Sequence, residues 1–298
     1  SVEIVAEAHA LDALVLIPNC DKVTPGMLMA AARLDLPTIV VTGGPMLCGW
    51  FRGRKVAYSH VFEAIGRVKA GELSEEDLAE LEQAACPTCG SCNGLYTANT
   101  MACMVEALGL SLPGSATPPA TSSRRLAIAL ESGRRIVEMV KEGLTASKIL
   151  TKKAFENAIR VDLALGGSTN TVLHLMAVAK EAGVDLTLDD FDRLSRETPQ
   201  LSELIPSGIY GMEDLDRAGG IPAVMKALEP LLNLDALTVT GKSLKENIAS
   251  AKILDENIIR PLSKPIRRAG GIAILKGNLA PRGAVLKTAG VPASMMKF

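Results

Sequence analysis

The stretch that decides the fold is "ALVLIPNCDKVTPGMLMAAARLDLPTIVVTGG", residues 13–44. Its first six residues, "ALVLIP", are a short apolar run of the kind that forms a buried parallel strand. Pro25 and Gly26 lead into "MLMAAARLD" (27–35), which reads as a helix. "LPTIVVTGG" (36–44) then reads as the next strand. Strand, loop, helix and strand in so short a span make a βαβ crossover. In open parallel sheets ligands bind beyond the carboxyl ends of the strands. Cys20, Asp21 and Lys22 fall at such an end, and so does "TGGPMLCG" (42–49). The expected fold class is therefore α/β, a parallel β-sheet flanked by helices.

Outward from this unit the chain is mostly helical. Residues 2–10 place Val2, Val5, Ala6 and His9 on one side at helical spacing. Residues 59–84 read as largely helical, with Ser74 as N-cap and Asp77 at the capping-box position. "CPTCGSCNG" (86–94) is a loop, followed by a helix over "LYTANTMACMVEALGL" (95–110) that Gly109 and the Pro113-Gly114 break terminate. In the amphipathic helix over 122–143, Leu126, Ile128, Leu130, Ile136, Val137 and Val140 are expected to face the core. The helical region continues over 145–165 up to Gly166-Gly167. Further helices are expected over "STNTVLHLMAVAKEAG" (168–183), "DLTLDDFDRLSRETP" (185–199), "DLDRAGGIPAVMKALEPL" (214–231) and "GKSLKENIASAK" (241–252). From Gly270 the texture alternates like strands with Gly and Pro turns, which reads as the first hairpin of a second domain. The expected division is 1–269, an α/β domain that begins part-way through, and 270–298, a truncated β-rich unit.

Composition narrows the function. Of 298 residues, 48% are hydrophobic and 22% charged, so a substantial core is expected rather than disorder. The net charge of -1 comes with no basic run, which argues against nucleic acid. No apolar run reaches the roughly 18 residues a membrane span needs. Six cysteines in a chain this long are not a disulfide scaffold. The simplest compartment is a reducing cytoplasm.

The spacing Cys86-x-x-Cys89-x-x-Cys92 suits a metal centre, because a tight loop lets thiolates converge on one ion. Three reduced thiols, some buried, are the plainer alternative. Zinc would need a fourth ligand, and His9, His60 and His174 are widely separated. Cys48 and Cys103 read as structural, and His174 as a satisfied core histidine. "GGSTN" is either an anion cradle at a helix start or an ordinary cap.

Six stretches, "NCDKVTPGM", "CPTCGSCNGLYTANTMA", "EALGLSLPGSA", "LGGSTNTVLHL", "DLDRAGGIPAVMK" and "GNLAPRGAVLK", resemble in this order the motifs of dihydroxy-acid dehydratases. The resemblance runs from Ser1 to Phe298. It implies a hydro-lyase that turns 2,3-dihydroxy-3-methylbutanoate and its isoleucine-pathway homologue into 2-oxo acids. It also implies an iron–sulfur cluster, with Cys20 and Cys92 matching two of the family's three cluster cysteines. The choice is between [2Fe-2S], which is preferred, and [4Fe-4S]. Magnesium is implied at Asp21 and Lys22, the lysine often carboxylated on its amine. Ser168, Thr169 and Asn170 are the implied substrate-binding residues, and the full-length form is implied to be a homodimer. The family's first cluster cysteine and a magnesium aspartate would precede Ser1. Its catalytic serine, a magnesium glutamate and most of a swivelling β-rich domain would follow Phe298. The chain is accordingly read as a family fragment, inactive alone and with no catalytic base of its own. A sugar-acid dehydratase of the same family and a zinc-binding module are the competing readings.

Overall fold

The computed structural model describes residues 1–295; residues 296–298, the end of the stretch read as a truncated second unit, lie outside the described residues. The first helix, α1 (Val2–Ala8), leads to β1 (Leu14–Leu16), α2 (Val23–Leu34) and β2 (Thr38–Val40). The expected crossover is present: β1 and β2 pair in parallel, with Leu14 opposite Thr38 and Leu16 opposite Val40. Two details differ from the sequence reading. Helix α2 starts at Val23, so Pro25 and Gly26 lie inside its first turn, where a missing N–H breaks no helical bond. Strand β1 is buried on one face only: Leu14 and Leu16 are buried, whereas Val15, pointing to the opposite face, is 43% exposed.

After β2 the chain forms a hairpin that the sequence reading passed over. Strands β3 (Gly49–Phe51) and β4 (Arg54–Val56) pair antiparallel about Arg52 and Gly53, both in the left-handed region. Helices α3 (Tyr58–Lys69) and α4 (Glu75–Ala85) pack against each other, and α4 packs on β3, around a small apolar cluster of Val56, Ala64 and Leu81. The expected cap is there: Ser74 Oγ accepts from the Asp77 N–H at 3.0 Å. This arm, residues 49–85, stands apart from the main core.

The main core is built around α5 (Thr97–Ala107), in which every residue from Ala98 to Ala107 is buried. Around it lie α6 (Ser123–Glu142), α7 (Ala146–Ile149), α8 (Lys152–Leu165) and α9 (Asn170–Glu181), followed by α10 (Leu188–Glu197), α11 (Met212–Arg217), α12 (Gly220–Ala227) and α13 (Leu244–Asn247). Helix α5 packs on α8, α9, α12 and α2, and α2 packs along α9. At the end of the described chain, β5 (Ala273–Leu275) and β6 (Ala284–Leu286) pair antiparallel. This hairpin docks on α10, and Ile274 joins the main core. Among the described residues the parallel sheet is thus a single pair of strands in a helix-rich α/β body, smaller than the sequence suggested.

Helix α6 corrects the expected core. Of the six residues assigned inward, Ile136 is buried, whereas Leu126, Leu130, Val137 and Val140 are exposed and Ile128 is half-buried. The inward face is instead Arg125, Ser132, Ile136 and Met139. The cause is the Arg125 guanidinium, which donates to the carbonyls of Thr42 at 2.8 Å, Ser115 at 2.6 Å and Pro118. Those bonds fix the rotation of the helix. A stripe of aliphatic side chains is left facing outward.

Candidate functional site

The site forms where both parallel strands end. Past β1, Cys20 is exposed, and its thiol points to Asp21 Oδ1 at 3.7 Å. Lys22 Nζ lies 3.1 Å from Asp21 Oδ2, and this hydrogen-bonded ion pair holds the Asp21 carboxyl below its ordinary range. Thr24 anchors the loop, its hydroxyl donating to Cys20 O at 3.0 Å.

Past β2, Gly43 and Gly44 join two loops. The Gly43 N–H donates to Pro18 O at 3.2 Å, which ties it to the Cys20 loop. On the other side the Ser91 N–H donates to Gly44 O at 2.9 Å and the Met46 N–H to Ser91 O at 2.9 Å, so residue 91 runs parallel beside Pro45. Neither glycine leaves room for a Cβ: at Gly43 it would strike the Asn19 side chain, and at Gly44 Pro118 O and Arg125. Two loops far apart in sequence are thereby laid on either side of one turn. Cys20 ends one loop and Cys92 the other.

Cys92 is half-buried. Burial pushes its thiol up, and the nearby Cys20 and Asp21 push the same way. The Asn99 amide fixes the turn by donating to Cys92 O and to Gly94 O, the latter at 2.7 Å, and Ser91 Oγ donates to Asn99 Oδ1 at 2.6 Å. Asn93 Nδ2 donates to Ala85 O at 2.8 Å, tying the turn to the end of α4. Cys86 and Cys89 are exposed. Among the described residues no three of His, Cys, Asp and Glu gather to hold a metal ion, so the CxxCxxC run does not close on itself.

Cys48 and Cys103 are buried, as expected of structural thiols. Cys48 is pushed up to about 12 by burial, and its Sγ faces Asn93 O at 3.7 Å. His174 departs from expectation. It is buried on α9, yet its Nε2 has no partner among the described residues, and its pKa is lowered by burial and by the charge of Lys22. A satisfied core histidine would have both ring nitrogens engaged.

The "GGSTN" stretch links two helix starts. Gly166 caps α8 in the left-handed conformation. A Cβ on Gly167 would collide with the buried Asp162 carboxyl. Ser168 Oγ and Thr97 Oγ1 share a hydrogen bond of 2.8 Å, and Asn170 Nδ2 donates to Thr97 Oγ1 at 3.0 Å and Ser168 Oγ at 3.2 Å. Thr169 is the half-buried N-cap residue of α9. Thr97, the first residue of α5, was not singled out from sequence; its signal was only its place inside a longer motif. Helices α2, α5 and α9 pack together, and none carries an acid in its first turn. Their partial positive ends therefore remain available to an anion.

Fold and site together define a helix-rich α/β protein with a thiol-, carboxylate- and hydroxyl-lined site at the carboxyl ends of a parallel strand pair. The chain belongs to the dihydroxy-acid/6-phosphogluconate dehydratase family: the family's N-terminal profile matches residues 1–247 and its C-terminal profile residues 257–298. It is 58% identical over 297 residues to a dihydroxy-acid dehydratase of Methanothermobacter thermautotrophicus, covering 99% of this chain and 54% of that protein. Similar proteins of the same name occur in Halothermothrix orenii, 55% identical over 298 residues (99% of this chain, 54% of the relative), and in Thermodesulfovibrio yellowstonii, 56% identical over 298 residues (100% and 54%). The chain spans about half the length of these curated relatives.

Proposed function

We propose that the chain carries the cofactor-binding part of a dihydroxy-acid dehydratase, acting on 2,3-dihydroxy-3-methylbutanoate and its isoleucine-pathway homologue in branched-chain amino-acid synthesis. The observation that carries this reading is the Gly43-Gly44 turn, which is bonded on one side to the Cys20-Asp21-Lys22 loop and on the other to the Cys92 loop.

The donor chemistry fits two cofactors. Cys20 and Cys92 offer soft sulfur for an iron–sulfur cluster, [2Fe-2S] by preference, and Asp21 offers hard oxygen for magnesium. Lys22 joins the magnesium set when carboxylated. The Nε2 of His174 nearby, without a partner among the described residues, supports a site that these residues leave incomplete. When bound, these cofactors supply Lewis acidity for a departing hydroxyl and for charge developing beside a carboxylate. The chain's part is to bind and orient. Ser168, Asn170 and Thr97 present a hydroxyl–amide cluster for the substrate's carboxylate and hydroxyls. The N-termini of α5 and α9 favour the negative charge. Proton removal is assigned to none of the described residues.

The C-terminal profile and the β5–β6 hairpin support residues 270–298 as the start of a β-rich swivelling unit. The exposed stripe of Leu126, Leu130, Val137 and Val140, centred on the open Gly133, supports a homodimer, and loss of the dimer in Leu130→Glu by light scattering tests it. Free cysteines throughout fit a cytoplasmic setting. Among the described residues no helix is long and apolar enough to cross a membrane.

The test is to express the protein at the full length of its relatives, reconstitute it anaerobically with iron, sulfide and magnesium, and assay 2-oxo acid formation. Branched dihydroxy acids are expected to turn over faster than sugar acids. The reverse order would assign it to the sugar-acid branch, and a colourless zinc protein would end the dehydratase reading.

A further inference from the structure

Asn93 follows Cys92 directly and is 0% exposed. Its amide is fully engaged. Nδ2 donates to Ala85 O at 2.8 Å and to Leu47 O at 3.4 Å, and Oδ1 accepts from the Tyr58 N–H at 3.4 Å. The Asn93 main-chain carbonyl accepts from the Met212 N–H at 3.0 Å and from Cys48 Sγ at 3.7 Å. Leu47 stands at the entry to the 49–85 arm, Tyr58 opens α3 within it, and Ala85 is the last residue of α4. One side chain therefore gathers three points of the arm beside a thiol.

We propose that Asn93 is a positioning residue for Cys92, clamping the arm to the turn so that the thiolate is offered to an iron–sulfur cluster in one fixed direction. The inference rests on reading Cys92 as a cluster ligand. On the other side of Cys92, the Ser91 N–H donates to Gly44 O and the Ser91 carbonyl accepts from the Met46 N–H. The Cys92 carbonyl itself accepts from the Asn99 amide. With the peptide planes fixed on both sides, the Cα–Cβ direction of Cys92 is set and only its χ1 rotamer stays free. The clamp needs two donors and one acceptor on a short planar group, which asparagine supplies. Aspartate lacks the donors, and serine carries only one. Cys20, in contrast, is exposed on its loop, with its thiol toward its own neighbour Asp21. The two sulfurs are thus offered in different ways: one from a clamped turn, the other from an open loop.

The experiment compares wild type, Asn93→Ala, Asn93→Ser and Ser74→Ala, each expressed at the full length of the relatives and reconstituted anaerobically with iron and sulfide. Alanine removes all three side-chain bonds, while Lys55 Nζ, donating to Asp214 Oδ2 at 2.5 Å, keeps the arm attached. Serine is the milder change and carries the same readouts should the alanine variant not accumulate. Ser74→Ala weakens the N-cap of α4 at the far end of the arm and leaves Asn93 untouched. Three quantities are read: the sulfur-to-iron absorption band, the rate of iron loss to a chelator, and, before reconstitution, the alkylation rate at each cysteine located by mass spectrometry. Both Asn93 variants are expected to shift the band and alkylate faster at Cys92, with the buried Cys103 at its wild-type rate. Iron loss is expected to be about ten-fold faster in Asn93→Ala, the lower end of the effects of groups that orient metal ligands. Ser74→Ala is expected to follow wild type. An unchanged band with iron loss within about two-fold of wild type overturns this inference alone. So does alkylation of Cys103 rising in step with Cys92, or Ser74→Ala matching the Asn93 variants, because the asparagine would then hold the fold rather than the thiol. Wild type that takes up no cluster overturns the ligand reading of Cys92, and this inference with it.

Discussion

Replacing Arg125 by methionine is expected to destabilise the protein by about 4 kcal/mol. The side chain is 6% exposed and donates to three carbonyls, those of Thr42, Ser115 and Pro118. Hydrogen bonds from a charged donor contribute roughly 1.5–3 kcal/mol each, so three give a gross loss of about 5–9 kcal/mol. Against this stands the cost of burying the guanidinium. Burial pulls its pKa from 12.5 to about 10, which keeps it charged at neutral pH and corresponds to roughly 3 kcal/mol. The net is about 2–6 kcal/mol, which spans the usual cost of breaking a buried charged network. Methionine keeps an unbranched apolar stem, so the loss reports the bonds rather than an empty space. Urea unfolding followed by far-UV circular dichroism measures it. Hydrogen exchange at residues 113–120 and 42–44 should rise in parallel, because the arginine joins that loop to the end of β2. A loss below about 1 kcal/mol would refute the clamp, and with it the explanation of how α6 is oriented.

Further outcomes follow from other residues. Glu106 is buried, accepts from the N–H groups of Gly114 and Ala116, and is pushed up to about 7 by burial from 4.5. The folded state therefore holds a proton that the unfolded chain releases near pH 4.5. This contribution is fully present below about pH 4.5 and is lost as pH rises through 7, a decline of about 3 kcal/mol that should be absent in Glu106→Gln. Denaturant titrations from pH 4.5 to 8 check this; a wild-type profile no steeper than the variant's would contradict it. In the reconstituted full-length protein, Cys20→Ser and Cys92→Ser should each abolish the visible cluster spectrum while Cys103→Ser leaves it. A normal spectrum in Cys92→Ser would sink that ligand assignment. Lys22→Arg should lower turnover by at least about 100-fold with the fold intact, since arginine cannot be carboxylated into an oxygen donor. Near-normal turnover would make Lys22 a solvated neighbour of Asp21.

What the sequence determined by itself is local. An apolar run, a polar break and a second apolar run were enough for the β1–α2–β2 crossover, because strand and helix periods are written in adjacent residues. Ser74 and Asp77 revealed the start of α4 for the same reason. The motifs around Cys20, Cys92 and Ser168 were legible as family signatures, and the matched profiles agree with them. The sequence also left real choices open. Helix α6 is apolar enough on two sides to dock either way, and only the carbonyls of Thr42, Ser115 and Pro118, gathered from distant segments, select the face with Arg125. The β3–β4 hairpin was missed because its strands are three residues each and gain their stability from packing on α4. Nothing local told Thr97 from its neighbours until α5 and α9 brought it to Ser168 and Asn170. The buried His174 Nε2, without a partner among the described residues, was invisible for the same cause. Periodicity shows that a side chain has a sidedness, but its partner is chosen by the long-range contacts that close the core.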